Sequence, residues 1–138
     1  MGHFELDLLC AASVDDAWSA VADVGALDKW WPGVEICTVI GERRSCTVEG
    51  GVTIEEEIRS VDADRRRLEY ALVGAPMPID FHRAVVEVLS DQTGGGSVLR
   101  FTVDVEPESV ATAMIPGLAP ALEALRDFAV RRATASAG

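Results

Sequence analysis

Glu56, Tyr70, Asp80 and His82 are the side chains of this 138-residue chain whose types and placement best suit chemistry. A histidine with an unperturbed pKa near 6.5 moves protons at neutral pH. A carboxylate accepts protons, and a tyrosine hydroxyl both donates and accepts hydrogen bonds. Each of the four lies in a stretch where side chains alternate with a period of two, and each shares its face with apolar neighbours. From Ile79 onward, Asp80, His82, Ala84, Val86 and Val88 form one face, and Phe81, Arg83, Val85 and Glu87 the other. Arg83 and Glu87 suit solvent, so Asp80 and His82 are expected inside, about 6.6 Å apart along a strand. The same alternation turns Leu68, Tyr70 and Leu72 inward, and likewise Leu99, Phe101, Val103 and Val105. Placing Val52, Ile54 and Ile58 inside carries Glu56 in with them, where a carboxylate is costly unless paired or wet.

Each candidate also has a purely structural reading. His82 suits a satisfied histidine at a cavity rim, Tyr70 a core aromatic bonded to backbone, and a bulge at Gly50 and Gly51 would return Glu56 to solvent. Trp18 reads as core packing. Trp30 and Trp31 cannot share one buried helix face, so Trp31 is assigned to the cavity entrance. Met77, between Pro76 and Pro78, reads either as a lid residue or as ordinary loop packing.

The elements that must position these residues follow in order along the chain. A strand from about His3 to Cys10 alternates Phe4, Leu6 and Leu8 with Glu5 and Asp7. Ser13 then opens a helix with Asp16 three positions on, the Asp form of a capping box. A second short helix is expected over Ala26 to Trp31, ended by Pro32 and Gly33. Six strands come next: Val34 to Ile40, Cys46 to Glu49, Val52 to Val61, Arg67 to Val73, Ile79 to Leu89 and Val98 to Val105, each pair separated by turn residues. A turn centred on Glu42 and Arg43 would set Cys46 opposite Val39 and Cys37 opposite Val48, which argues against a disulfide between them. The last connection runs from Asp91 to Ser97. A C-terminal helix over Pro116 to Arg132 presents Leu118, Leu122, Leu125 and Ala129 as an apolar stripe, and Ala133 to Gly138 are expected to fray.

Seven strands spaced about 4.8 Å apart span roughly 29 Å. One helix of about 17 residues is about 25 Å long and only 10 to 12 Å across. The sheet must therefore curl around the helix, and uncovered inner surface becomes packed side chains or a cavity.

Composition narrows the function. Acidic residues number 23 against 12 basic ones, a formal charge of −11, which repels phosphate backbones and anionic lipid heads. No nucleic acid or membrane partner is expected. With no run of about 20 apolar residues and no signal-like leader, the expected location is cytoplasmic. Three cysteines at unrelated spacings suit reduced thiols. His3 and His82 are the only imidazoles and no ligand-spaced pair exists, so no metal and no other cofactor is expected. Gly94 to Gly96 lie in a polar hairpin and form no phosphate cradle. Neither Ser13 nor Ser19 has the flanking glycines of a nucleophile elbow.

One stretch after another carries a family likeness: Val14 to Ala22 around Trp18; Leu27, Trp30, Trp31, Pro32 and Gly33; Glu57 to Asp62 with Arg66 and Leu68; and Pro78 through Ala84, Val86 and Val88 into Gly96 to Phe101. Over essentially its whole length the chain resembles the START/Bet v 1-like (SRPBCC) superfamily, within it the polyketide cyclase/dehydrase-like group. The resemblance implies one α+β domain over residues 1–138 with a helix-grip fold: a curved seven-stranded antiparallel sheet around a long C-terminal helix, and two short helices between strands one and two. It implies a scaffold shared by lipid and hormone binders, cyclases, dehydratases and chaperone activators, and by itself selects none of them.

An apolar inner wall with a few polar groups is the usual make-up of a small-molecule site. The expected function is binding or carriage of a small hydrophobic ligand (a polyketide, lipid, isoprenoid or aromatic) by a monomer or homodimer. The residues expected at the ligand are Trp31, Glu56, Tyr70, Met77, Asp80, His82, Phe101, Leu118 and Leu122. Two alternatives stay open: a cyclase or dehydratase using His82, Tyr70 or Glu56 as acid or base, and a protein-interaction module with a filled interior.

Overall fold

In the computed structural model, residues 1–92 and 94–137 are described, the last two as backbone only. Strand β1 (Gly2–Cys10) packs Phe4, Leu6 and Leu8 against the core and exposes Glu5 and Asp7. Helix α1 (Val14–Ala22) starts where expected: the Ser13 hydroxyl accepts the Asp16 N–H at 3.1 Å, and Asp15 and Asp16 occupy the positive first turn. The second helix is shorter than expected. Only Leu27–Lys29 form a single 3₁₀ turn, and the Trp31 N–H closes it on the Leu27 carbonyl at 2.8 Å. Trp30 and Trp31 then lie against each other with ring centroids 5.5 Å apart and planes tilted by 42°, and Gly33 turns the chain at a φ of 86°.

Strands β2 (Val34–Ile40), β3 (Arg43–Val48), β4 (Val52–Asp62), β5 (Arg67–Gly74), β6 (Phe81–Ser90) and β7 (Ser97–Glu106) complete one sheet of seven. Its order is β1-β7-β6-β5-β4-β3-β2, with every neighbour antiparallel. From β2 to β7 the connections are too short for crossovers, while α1 and the 3₁₀ turn carry the chain from β1 at one edge to β2 at the other. Across the outer face, Arg100 grips Asp7 with two bonds of 2.9 and 3.0 Å, and Glu69 lies between Arg67 and Arg83. Such exposed pairs each contribute at most about 1 kcal/mol.

The β2–β3 turn is centred one residue earlier than expected. Gly41 takes a φ of 60°, a conformation open to glycine at the first central position of a two-residue hairpin, and Ile40 pairs with Arg43. Cys37 therefore faces Cys46 directly, correcting the pairing of Cys46 with Val39. Strand β3 also begins at Arg43 instead of Cys46, which puts Arg44 in the sheet.

Two further expectations change. Strand β6 begins at Phe81, so Asp80 lies before the ladder in the loop and is exposed. Alternation orients a side chain only while the backbone is extended and paired. Val52, at the start of β4, is 37 % exposed and not interior. Gly50 and Gly51 form a tight turn, and the shifts in the β4–β5 ladder fall instead at Glu55/Glu56 and Ile58/Ser60.

After a cis Glu106–Pro107 bond, helix α2 (Glu108–Met114) and a 3₁₀ turn (Ile115–Gly117) lead into α3 (Leu118–Ala137). The helix begins at Leu118 and runs on through Ala137, so residues 133–137 continue it; Gly138 and Thr93, part of the expected fray and of the last hairpin loop, lie outside the described residues. Leu118, Ala121, Leu122, Leu125 and Ala129 are buried in the grip of the sheet, against Leu99, Phe101 and Val103 of β7 and Ala84, Val86 and Val88 of β6. Each such leucine contributes about 1.5 to 3 kcal/mol by leaving water.

Candidate functional site

The sheet and α3 do not meet along their whole length. Between them lies a cavity of about 240 Å³, walled by Val34, Cys46, Val48, Ile54 and Glu56 from β2 to β4, Tyr70 and Leu72 from β5, His82 from β6, and Phe101 and Val103 from β7. Leu27, Trp31, Met77, Met114 and Leu118 close it from the helical side and the loop. A second space of about 20 Å³ lies deeper, lined by residues that include Val21, Val24, Arg44, Leu68, Leu122 and Leu125. Leu27, Trp31, Tyr70 and Phe101 border both, so they form the partition. An engineered apolar cavity of 150 Å³ holds benzene, so the outer chamber suits a body about one fused ring larger. The inner one has room for about one water.

Arg44 stands at the partition, 2 % exposed. Its Nε donates to Glu56 Oε1 at 2.9 Å, its Nη1 donates to the Val24 carbonyl at 2.9 Å, and its guanidinium carbon lies 4.8 Å from the Tyr70 ring centroid. Burial works against charge on Arg44, but the Glu56 carboxylate outweighs it and raises its pKa. Burial raises the pKa of the Glu56 carboxyl, and Arg44 offsets this only in part. A guanidinium keeps its proton in proteins, so the site holds a fixed cation and a carboxylate that water does not stabilise. Burial also pushes the Tyr70 phenol up, so its hydroxyl stays protonated. That hydroxyl makes no hydrogen bond to the described residues, yet it is not sealed from the cavity.

His82 is oriented by the sheet. The β5–β6 ladder pairs residues only as far as Tyr70 and Ala84. One step beyond, the Leu72 N–H donates to His82 Nδ1 at 2.9 Å, replacing a ladder bond with an imidazole. Nδ1 is thereby an acceptor, so the neutral ring carries its proton on Nε2. Burial, with a smaller contribution from the Arg59 charge, lowers its pKa to about 4. At neutral pH this ring presents an Nε2–H donor, with its Nδ1 lone pair already occupied by the Leu72 amide.

Of the residues expected at a ligand, Trp31, Glu56, Tyr70, Met77, His82, Phe101 and Leu118 border the outer chamber. Leu122 borders the inner one, and Asp80 borders neither. Arg44 escaped the sequence reading because it was placed in the turn. Its signal was the polar residue two before Cys46, on the same face, once Gly41 is recognised as the turn glycine.

A curved antiparallel sheet closed by a long helix around a mostly apolar chamber defines a helix-grip container. The chain belongs to the family described as polyketide cyclase / dehydrase and lipid transport, whose model matches residues 1–136. Solved structures share the fold. The protein XoxI from Bacillus cereus superposes with a TM-score of 0.83 at 18 % identity, covering 94 % of this chain and 96 % of that one. A START superfamily protein from Mycobacterium smegmatis gives 0.79 at 15 % identity, covering 95 % and 99 %. Norcoclaurine synthase from Thalictrum flavum, in complex with dopamine and hydroxybenzaldehyde, gives 0.71 at 22 % identity, covering 94 % and 86 %. A comparison with curated protein sequences finds no match. Among the described residues, no helix is long and apolar enough to cross a membrane.

Proposed function

We propose that this protein binds and carries a small, neutral, largely apolar molecule, bicyclic or comparable in size, that bears one hydrogen-bond acceptor such as a carbonyl. The observation that carries this reading is the tautomer of His82: its Nδ1 is tied to the Leu72 amide, leaving an Nε2–H donor on an otherwise apolar wall. Tyr70 adds a second donor, its hydroxyl, and the Glu56–Arg44 pair leaves the wall without net charge, which suits a neutral guest. Such a site rewards an acceptor and discriminates against a molecule that leaves these donors unpaired. The formal charge of −11 favours a small-molecule ligand over nucleic acid or an anionic membrane. Three unbridged cysteines fit work in the cytoplasm, by a monomer or homodimer.

A neutral naphthylamine fluorophore tests this. It should bind with blue-shifted emission and be displaced by bicyclic ketones more strongly than by the matching hydrocarbons. Ile54→Trp, which fills the chamber, should weaken binding at least about tenfold while leaving the circular dichroism spectrum unchanged. Equal affinity in the Ile54→Trp variant would place the fluorophore elsewhere and defeat the proposal.

A second reading, a cyclase or dehydratase, is favoured by one observation: a carboxylate at Glu56 whose pKa burial raises, in a chamber that also offers donors to a carbonyl oxygen. In that case Glu56 takes a proton beside the carbonyl while His82 and Tyr70 hold its oxygen. Deuterium exchange at the α-carbon of a bound ketone, abolished in Glu56→Gln, distinguishes catalysis from carriage.

A further inference from the structure

Cys37 on β2 and Cys46 on β3 sit directly opposite each other, with their sulfurs 3.1 Å apart and no bond between them. Directly opposed residues of antiparallel strands hold their Cα atoms about 4.5 to 5.5 Å apart, and a disulfide tolerates about 4.4 to 6.8 Å. The sulfurs thus need to approach by only about 1 Å to bond, with no change of register. Strand β2 is the sheet's edge and pairs on one side only, so it is free to supply that movement.

We propose that Cys37 and Cys46 form a redox modification site, a cross-strand dithiol that small hydroperoxides or low-molecular-weight disulfides oxidise reversibly to an intramolecular disulfide. The two thiols differ in a way that assigns their roles. Cys37 is half-buried on the edge strand, whereas Cys46 is 2 % exposed and faces the chamber wall. Burial, then the hydrogen bond with Cys37, holds the Cys46 thiol well above its ordinary range, so Cys46 is a poor first nucleophile. Cys37 attacks the peroxide: its sulfur bonds to one oxygen, the O–O bond breaks, the alcohol or water leaves, and a sulfenic acid remains. Cys46 then gives up its proton, bonds to the Cys37 sulfur and expels hydroxide, which leaves as water. In total two thiols are oxidised by one hydroperoxide, giving a disulfide, an alcohol and water. Cys10 takes no part, since it is buried at the far end of β1, opposite Ser97.

The site does not depend on the ligand proposed above, and its test needs no ligand. The full chain is treated with a small excess of hydrogen peroxide, denatured in the presence of N-ethylmaleimide and weighed intact. The expected product has lost about two mass units and takes up maleimide at one thiol only, and dithiothreitol restores all three. Digestion should join the Cys37 and Cys46 peptides. In Cys46→Ser the sulfenic acid at Cys37 should persist and react with dimedone. As a probe of proximity that needs no oxidant, phenylarsine oxide should form a one-to-one adduct with the wild type and none with either single variant. A disulfide to Cys10, a disulfide between molecules, oxidation to sulfinic acid without a bridge, or an arsenical adduct that survives in a single variant would each overturn the proposal.

Discussion

His82 shows how one side chain can be placed by its own strand while its chemistry is set by the neighbouring one. Period-two alternation places it inside, and it lies inside, 8 % exposed. Its chemistry, however, is decided by the Leu72 amide on the neighbouring strand, which alternation along a single strand does not reveal. Because its folded pKa, about 4, lies below the unfolded value of 6.5, the unfolded chain binds the extra proton between those values. The stability it contributes is therefore fully present above pH 6.5 and is lost as pH falls toward 4. On this basis the wild type should lose on the order of 2 to 3 kcal/mol more than His82→Asn between pH 7 and 4, read from urea unfolding. Asparagine can still accept the Leu72 amide but does not titrate. Parallel pH profiles for the two proteins would contradict this account. Asp80, two residues earlier, is the opposite case: it shares the pattern of His82 but precedes the ladder, so nothing turns it inward.

At the scale of elements, the seven strands and the capped first helix follow from alternation, turn glycines and Ser13. What sequence reading missed traces largely to one turn. Centring the β2–β3 hairpin on Glu42 and Arg43 instead of Gly41 and Glu42 hides both the Cys37–Cys46 pair and the strand position of Arg44. Once in β3, Arg44 sits opposite Glu56 of β4 and ties both strands to the Val24 carbonyl, between α1 and the 3₁₀ turn. Three elements thus meet at one buried cation. Arg44→Met should cost about 3 to 5 kcal/mol, because it strands the Glu56 carboxylate without a partner. Adding Glu56→Leu should recover most of that loss, since removing both charges also removes the cost of burying them. Thermal and urea unfolding of the two variants, measured side by side, provide the comparison; a double variant no more stable than the single one would show that the pair contributes more than mutual compensation. Helix α2 lies outside the helix expected from Pro116, because its seven residues Glu108–Met114 bury only Val110 and Ala111 and carry too short an apolar pattern to be read.

For the whole molecule, the relation between a wide sheet and a narrow helix is what leaves a chamber of about 240 Å³ at this end. Leu27, Trp31, Tyr70 and Phe101, backed by Arg44, stand between it and the space of about 20 Å³. That partition is a ruler. On the function proposed above, a guest would reach only as far as those side chains, and anything longer would leave its tail beside Met77. In a series of straight-chain alcohols, affinity should therefore climb by about 0.8 kcal/mol for each added methylene while the chain is still inside. It should then stop climbing, as isothermal titration would show by a break from a slope to a plateau. On the function proposed above, a container built this way would sort its guests by length before it reads their chemistry.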